Sequence, residues 1–348
     1  MADPFTFVEN IWYFAGFSPQ FKRGQMQHKT IACQPIVIGR GENGKIFALR
    51  DICPHRAAPL SAGRVIENSV QCPYHGWRFR GDDGQCLEIP SICKHQKDPS
   101  SGISVRNYPV REDGNLIWIY LASDKNFKGT PPVEPPQFTE THMKPRLVNS
   151  LILEANFDHS VIGLIDPAHV SFLHKQWWWR ADGSMHDKTK HFEPRGAGWV
   201  MSSHQPSSNS LGYKLLGGKP VTEISFYLPN VRVEHITLGK KTLLSFTVIT
   251  PITEDRTEIT QAFFTNINIV KFLSPLIGMG IKTFLQQDGD MVKLQAGCLE
   301  YNPKLMLLGD ADMQARWYFT LKKEWALAHA ENRPFKNPIK PQSLSWRS

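Results

Sequence analysis

The 348-residue chain predicts an α+β protein in two parts, a small antiparallel β domain and a larger domain whose central antiparallel sheet is covered by helices. Three observations predict this. Up to about residue 122, short β-branched and aromatic runs alternate with turns bearing Gly and Asn. A Pro-rich stretch, K-G-T-P-P-V-E-P-P-Q-F at 128–138, suits neither a regular helix nor a central strand. Beyond it, alternating runs give way to helical ones. The expected boundaries are 1–127, a linker at 128–145, and 146–348.

N-I-W-Y-F-A-G-F at 10–17 opens the first part. T-I-A-C-Q-P-I-V-I-G at 30–39 and K-I-F-A-L-R-D at 45–51 flank the turn G-E-N-G and read as a hairpin. A second hairpin joins G-I-S-V-R-N-Y-P-V to N-L-I-W-I-Y-L through R-E-D-G. After the linker, R-L-V-N-S-L-I-L-E-A at 146–155 reads as a strand, and the segment from Asn156 to His174 as mostly helical. Residues 180–219, rich in Gly, Ser, Lys and His, read as a loop or lid. Val221 to Thr265 fits an antiparallel sheet, with helices expected through Lys282–Gln295 and Asp310–Ala330.

Hydrophobic residues make up 41% of the chain, enough for real cores. The formal charge of +8 comes from dispersed Lys and Arg with no basic run, so nucleic acid is not an expected partner; docking of an acidic electron donor is the sharper reading. Six Cys (33, 53, 72, 86, 93, 298) are too few and too scattered for a disulfide framework, which suits a reducing cytoplasm. Cys33, Cys86, Cys93 and Cys298 read as buried small hydrophobes. No leader-like segment and no transmembrane span are expected. The apolar run at 269–281 is open between core, lid and membrane-surface contact.

The stretch Asp51–Trp77 holds Cys53 and His55 as C-x-H, then Cys72 and His75 as C-x-x-H. Two Cys and two His could hold a tetrahedral zinc. Here each short loop offers one of each kind. A two-iron, two-sulfide centre in which one iron takes both thiolates and the other both imidazoles asks for that mixture. Pro54 and Pro73 stiffen the loops, and Gly76 lets the backbone approach closely. With C-P-Y-H-G-W closing it, the stretch resembles the Rieske iron–sulfur proteins. Such a centre works at roughly −150 to +300 mV and passes single electrons.

D-P-A-H-V-S-F-L-H at 166–174 supplies His169 and His174. Two His and one carboxylate on one face of an iron leave the opposite positions open, as in non-haem Fe(II) oxygenases. Following a Rieske motif, this segment makes the chain resemble the Rieske non-haem iron oxygenases from about Trp12 to Asp312. The D-P-A-H-V form is most similar to members acting on large hydrophobic substrates. The resemblance implies a [2Fe-2S] cluster on Cys53, His55, Cys72 and His75, and a mononuclear Fe(II) on His169, His174 and a late Asp, with a helix-grip-like catalytic domain. F-L-Q-Q-D-G-D-M-V-K-L-Q at 284–295 offers Asp288 and Asp290; Gln287 and Gln295 around it match the family's pattern for Asp288. Gly163 stands where many members have Asn. Trp177, Trp178 and Trp179 are open between pocket wall, core and subunit contact.

The resemblance further implies a terminal oxygenase that takes electrons from a ferredoxin or flavin reductase. With O2 it hydroxylates or oxidatively demethylates a hydrophobic small molecule. Asp166 is implied as a bridge from His169 to His75 of a neighbouring copy, in a head-to-tail homotrimer. The plainer reading is that Asp166 caps a helix before Pro167. The rival functions are an arene dihydroxylase and a Rieske electron carrier without oxygenase chemistry.

Overall fold

The computed structural model describes residues 7–174, 185–205, 220–301 and 303–348, with the side chains of 268–277 outside the description. The strands are β1 Ile11–Phe17, β2 Gln25–Ile31, β3 Gln34–Arg40, β4 Ile46–Arg50, β5 Arg64–Ile66, β6 Ser69–Gln71, β7 Arg78–Arg80, β8 Cys86–Glu88, β9 Val110–Asp113, β10 Leu116–Leu121, β11 Leu147–Leu153, β12 Asp187–Arg195, β13 Gly198–His204, β14 Val221–Tyr227, β15 Val231–Leu238, β16 Lys241–Thr253, β17 Arg256–Thr265 and β18 Gln342–Arg347. The helices are α1 Phe157–Ile165, α2 Val170–Leu173, α3 Asn268–Leu299 and α4 Met313–Ala330. The α+β expectation holds. The chain divides into two compact units, Glu9–His142 and Met143–Ser348 together with Met1–Val8.

The first unit is built from three small antiparallel sheets, ordered β1-β10-β9, β2-β3-β4 and β5-β6-β7-β8. β1 and β10 are apolar throughout and buried throughout, and Phe14 meets Trp118 edge-on across the pair. A second cluster, with Val37, Leu49, Leu60, Val70 and Phe79 at its centre, packs under the loops that carry the candidate cluster ligands. The Pro-rich stretch stays with this unit, where Val133 accepts a hydrogen bond from the Trp12 indole.

The second unit is organised on one antiparallel sheet of eight strands, ordered β11-β17-β16-β15-β14-β13-β12-β18. Residues directly opposite in adjacent strands share a face. Asn149, Gln261, Thr247, Arg232, Phe226 and Trp199 therefore form one row across it. Trp199 in that row bonds to Gln314 and packs on Trp317 of α4. Leu151 and Leu153, on the same face, lie where a Cβ on Gly289 of α3 would touch them. All the long helices thus cover one face. α1 and α4 are tied by Asp158, fully buried, which accepts from Lys322 Nζ at 2.6 and 2.7 Å and from the Tyr318 hydroxyl.

Three expectations are corrected. The lid read from 180–219 is in part sheet: β12 and β13 lie inside that range, with Phe192, Trp199, Val200 and Met201 in the core. Its polar composition reflects β12, whose other residues are half-buried or exposed. The late helix begins far before Lys282, at Asn268, and ends one turn past Gln295, at Leu299. Cys86 is buried as expected, but Cys33, Cys93 and Cys298 are exposed. Trp177, Trp178 and Trp179 lie outside the described residues. Among the described residues, no helix is long and apolar enough to cross a membrane.

Candidate metal centres

The first centre sits on two turns of the same design. Cys53 N–H donates to Ala58 O and Ala57 N–H to Cys53 O; Cys72 N–H donates to Trp77 O and Gly76 N–H to Cys72 O. The fourth residue after each Cys has positive φ, +56° at Ala57 and +74° at Gly76. Gly adopts that conformation freely, whereas Ala is strained in it. The left-handed requirement was legible at Gly76, but nothing about Ala57 announces it.

Both thiols are buried, while His55 is exposed and His75 partly so, their rings 4.5 Å apart. Trp77 stacks flat on His55, at 4.8 Å and 6°. Burial pushes the Cys53 thiol up to about 11, and neighbouring Cys72 adds to the rise against backbone hydrogen bonds that lower it. His75 is shifted down by desolvation and by His55 and Arg56. Two buried thiols side by side, capped by two imidazoles open to the surface, suit a two-iron cluster with its thiolate-bound iron inward and its imidazole-bound iron outward.

The second centre draws on segments far apart in sequence. Asn156 caps α1, its side chain accepting from Asp158 N–H. The helix ends at Asp166, and the single turn of α2 carries the chain from His169 to His174. This break answers the i, i+5 spacing of the two His, which a straight helix would splay. α3 delivers Asp288. His174 Nε2 lies 3.3 Å and His169 Nε2 3.6 Å from Asp288 Oδ1. One ligand atom from each of the three residues lies within 4.8 Å of the others. Asp290 is turned away, its Oδ1 accepting from Gln286 at 2.8 Å.

His174 is 7% exposed, and its Nδ1 lies 2.9 Å from Gln287 Oε1. The amide oxygen accepts from Nδ1–H, so in the neutral ring the Nε2 lone pair is the one available to a metal shared with Asp288. Burial alone would lower the His174 pKa, but hydrogen bonds and charge from Asp288, with help from Gln287, raise it overall. Asp166 Oδ1 accepts from Ala168 N–H at 2.7 Å, the turn-capping role. Its Oδ2 lies 3.5 Å from His169 Nδ1, near but not hydrogen-bonded. At Gly163 a Cβ would come within 3.7 Å of Val292, so α1 and α3 approach closely there. Gln287 as the His174 partner is a role that the sequence pattern alone did not assign.

The sequence matches the Rieske [2Fe-2S] domain family over residues 11–109. Chlorophyllide a oxygenase of Arabidopsis thaliana is 33% identical over 169 residues, 48% of this chain and 29% of that protein. The dicamba O-demethylase oxygenase component of Stenotrophomonas maltophilia is 42% identical over 115 residues, 33% of this chain and 32% of that one. The chain therefore spans about a third of the length of these curated relatives. The crystal structure of dicamba monooxygenase bound to dicamba superposes with a TM-score of 0.71 at 23% identity, covering 92% of this chain and 99% of that one. Residues 11–109 thus belong to the Rieske [2Fe-2S] domain family, and the chain as a whole shares the fold of dicamba monooxygenase.

Proposed function

We propose that the chain is a terminal oxygenase that hydroxylates or oxidatively demethylates a hydrophobic small molecule, of the large polycyclic kind. Cys53, His55, Cys72 and His75 would hold the [2Fe-2S] cluster, and His169, His174 and Asp288 a ferrous ion. The observation that carries this reading is the convergence of those last three side chains, with ligand atoms within 4.8 Å. A pure electron carrier has no use for them. When bound, the cluster supplies single electrons and the ferrous ion supplies dioxygen activation.

The protein's own part is positional. Gln287 fixes the His174 tautomer, Asp288 faces both imidazoles, and the break between α1 and α2 sets the two rings on one side. Insertion of one oxygen atom into a C–H bond sends the other to water and consumes two electrons and two protons. Their source would be a ferredoxin or flavin reductase, drawn to the exposed His55 edge by the chain's positive charge. We place the protein in the cytoplasm as a homotrimer, with Asp166 reaching from His169 toward His75 of a neighbouring copy. The position of Asp166 Oδ2, 3.5 Å from His169 Nδ1 while Oδ1 caps the turn, supports that role.

Iron and acid-labile sulfide analysis tests the reading. Three irons and two sulfides per chain are expected, and two irons would overturn it in favour of an electron carrier. Asp166→Asn should keep all three irons and the trimer while electron transfer to the mononuclear iron falls sharply. A fully active monomer would overturn the bridge.

A further inference from the structure

The helix-covered face of a sheet is ordinarily apolar core. Here it is apolar at Leu151, Ile249, Ile259 and Phe263, yet the row between them is polar. Thr247, 2% exposed, has a hydroxyl that meets no hydrogen-bonding partner among the described residues. Asn149, two strands away in the same row, buries an amide nitrogen that likewise meets none. Gln261 stands between them and spends one N–H on Ser245, at 3.2 Å. Buried groups of this kind are satisfied in nearly every native structure, so unfilled donors pointing to one side imply a missing acceptor.

Their position is close to the iron ligands. α3 crosses β11 with Gly278 facing Leu147 and Gly289 facing Leu151 and Leu153, so Asn149 lies beneath the helix segment that ends next to Asp288. Asn149 is two residues from Leu151, roughly 7 Å along the strand. The cation in this row, Arg232, is matched by Glu234 on its own strand, 3.8 Å away. The floor therefore offers neutral donors and no unbalanced charge.

Resting on the oxygenase reading above, we propose that Asn149 and Thr247, braced by Gln261, bind an uncharged acceptor oxygen of the substrate, a carbonyl or ether. They would hold it remote from the carbon that reacts. The substrate class is then a neutral, apolar molecule bearing such an oxygen, and not a carboxylate.

The test is anaerobic equilibrium dialysis of the holoenzyme against 1-indanone, indane and indane-1-carboxylate. The ketone should bind about five- to tenfold more tightly than indane, the return of one or two neutral hydrogen bonds. Asn149→Leu and the near-isosteric Thr247→Val should each erase most of that preference while indane affinity stays within about twofold. Equal binding of ketone and indane, tightest binding of the carboxylate, equal loss for both neutral probes in the variants, or no binding of any probe would overturn the proposal. Iron content is measured on each sample. Wild-type protein with fewer than three irons refutes the oxygenase reading instead, and three irons with a failed preference refutes this one alone.

Discussion

Gln287→Leu isolates a single hydrogen bond at the second centre. The Gln287 oxygen lies 2.9 Å from His174 Nδ1, and the ring is 7% exposed, so water cannot readily replace it. Losing the bond removes about 1 kcal/mol, and stranding the buried N–H adds a penalty of roughly 1–3 kcal/mol. The ring is then also free to take the other tautomer. Outer partners of metal-bound His typically contribute 10–100-fold in metal affinity, or about 1.4–2.8 kcal/mol, which overlaps the lower part of the local sum of roughly 2–4 kcal/mol. Anaerobic competition for Fe(II) against a chelator should therefore show a 10–100-fold loss for Gln287→Leu, with the Rieske absorption unchanged. Gln287→Glu keeps an acceptor and should hold iron within about threefold of wild type. Iron affinity within twofold of wild type in Gln287→Leu would refute the assigned role.

Asp288→Ala should lose the mononuclear iron and Asp290→Ala retain it, since Asp290 bonds to Gln286 and faces away; metal analysis of both decides. Lys322→Met strands the buried Asp158 carboxylate and should cost about 3–5 kcal/mol in urea unfolding followed by tryptophan fluorescence. Adding Asp158→Leu should recover most of that loss, and a double variant as weak as the single would refute the ion-pair account. In the first unit, burial works to raise the Glu112 carboxyl, but hydrogen bonds from Arg40 and Ser18 bring it below its usual range. A depressed folded pKa stabilises above the ordinary Glu range and is lost as pH falls through the folded value. Glu112→Gln should thus lower the Tm by roughly 1–3 °C at pH 7, with the difference closing as the pH drops below about 4.

The sequence was most legible where chemistry constrains local spacing. The Cys and His of Asp51–Trp77 name their partner because thiolate and imidazole must arrive in mixed pairs, and the preference for Asp288 over Asp290 agrees with the side of α3 that faces the two His. It was least legible where tertiary pairing overrides composition. β12 looks like a polar loop because the sheet buries Phe192 but leaves most of its neighbours half-buried or exposed. The strained Ala57 also left no trace, since its positive φ is imposed by the hydrogen bonds that close the turn around Cys53. The polar row across the sheet could not be seen at all without the register that aligns Asn149, Gln261 and Thr247.

The placement of the two sets of ligands along the chain has a consequence for how the protein matures. Cys53 through His75 fall in one short stretch, closed by local turns, so this site can be complete soon after that stretch has been synthesised. His174 and Asp288 are separated in sequence by the six consecutive strands β12 to β17, and the two residues meet only once those strands have paired and α3 has packed back on β11 and β17. Closing so long a loop precedes the reward of the contact it makes. On the proposed reading, ferrous ion would therefore be acquired late, by an already assembled sheet, and its retention after purification would measure how much of the second unit has finished folding.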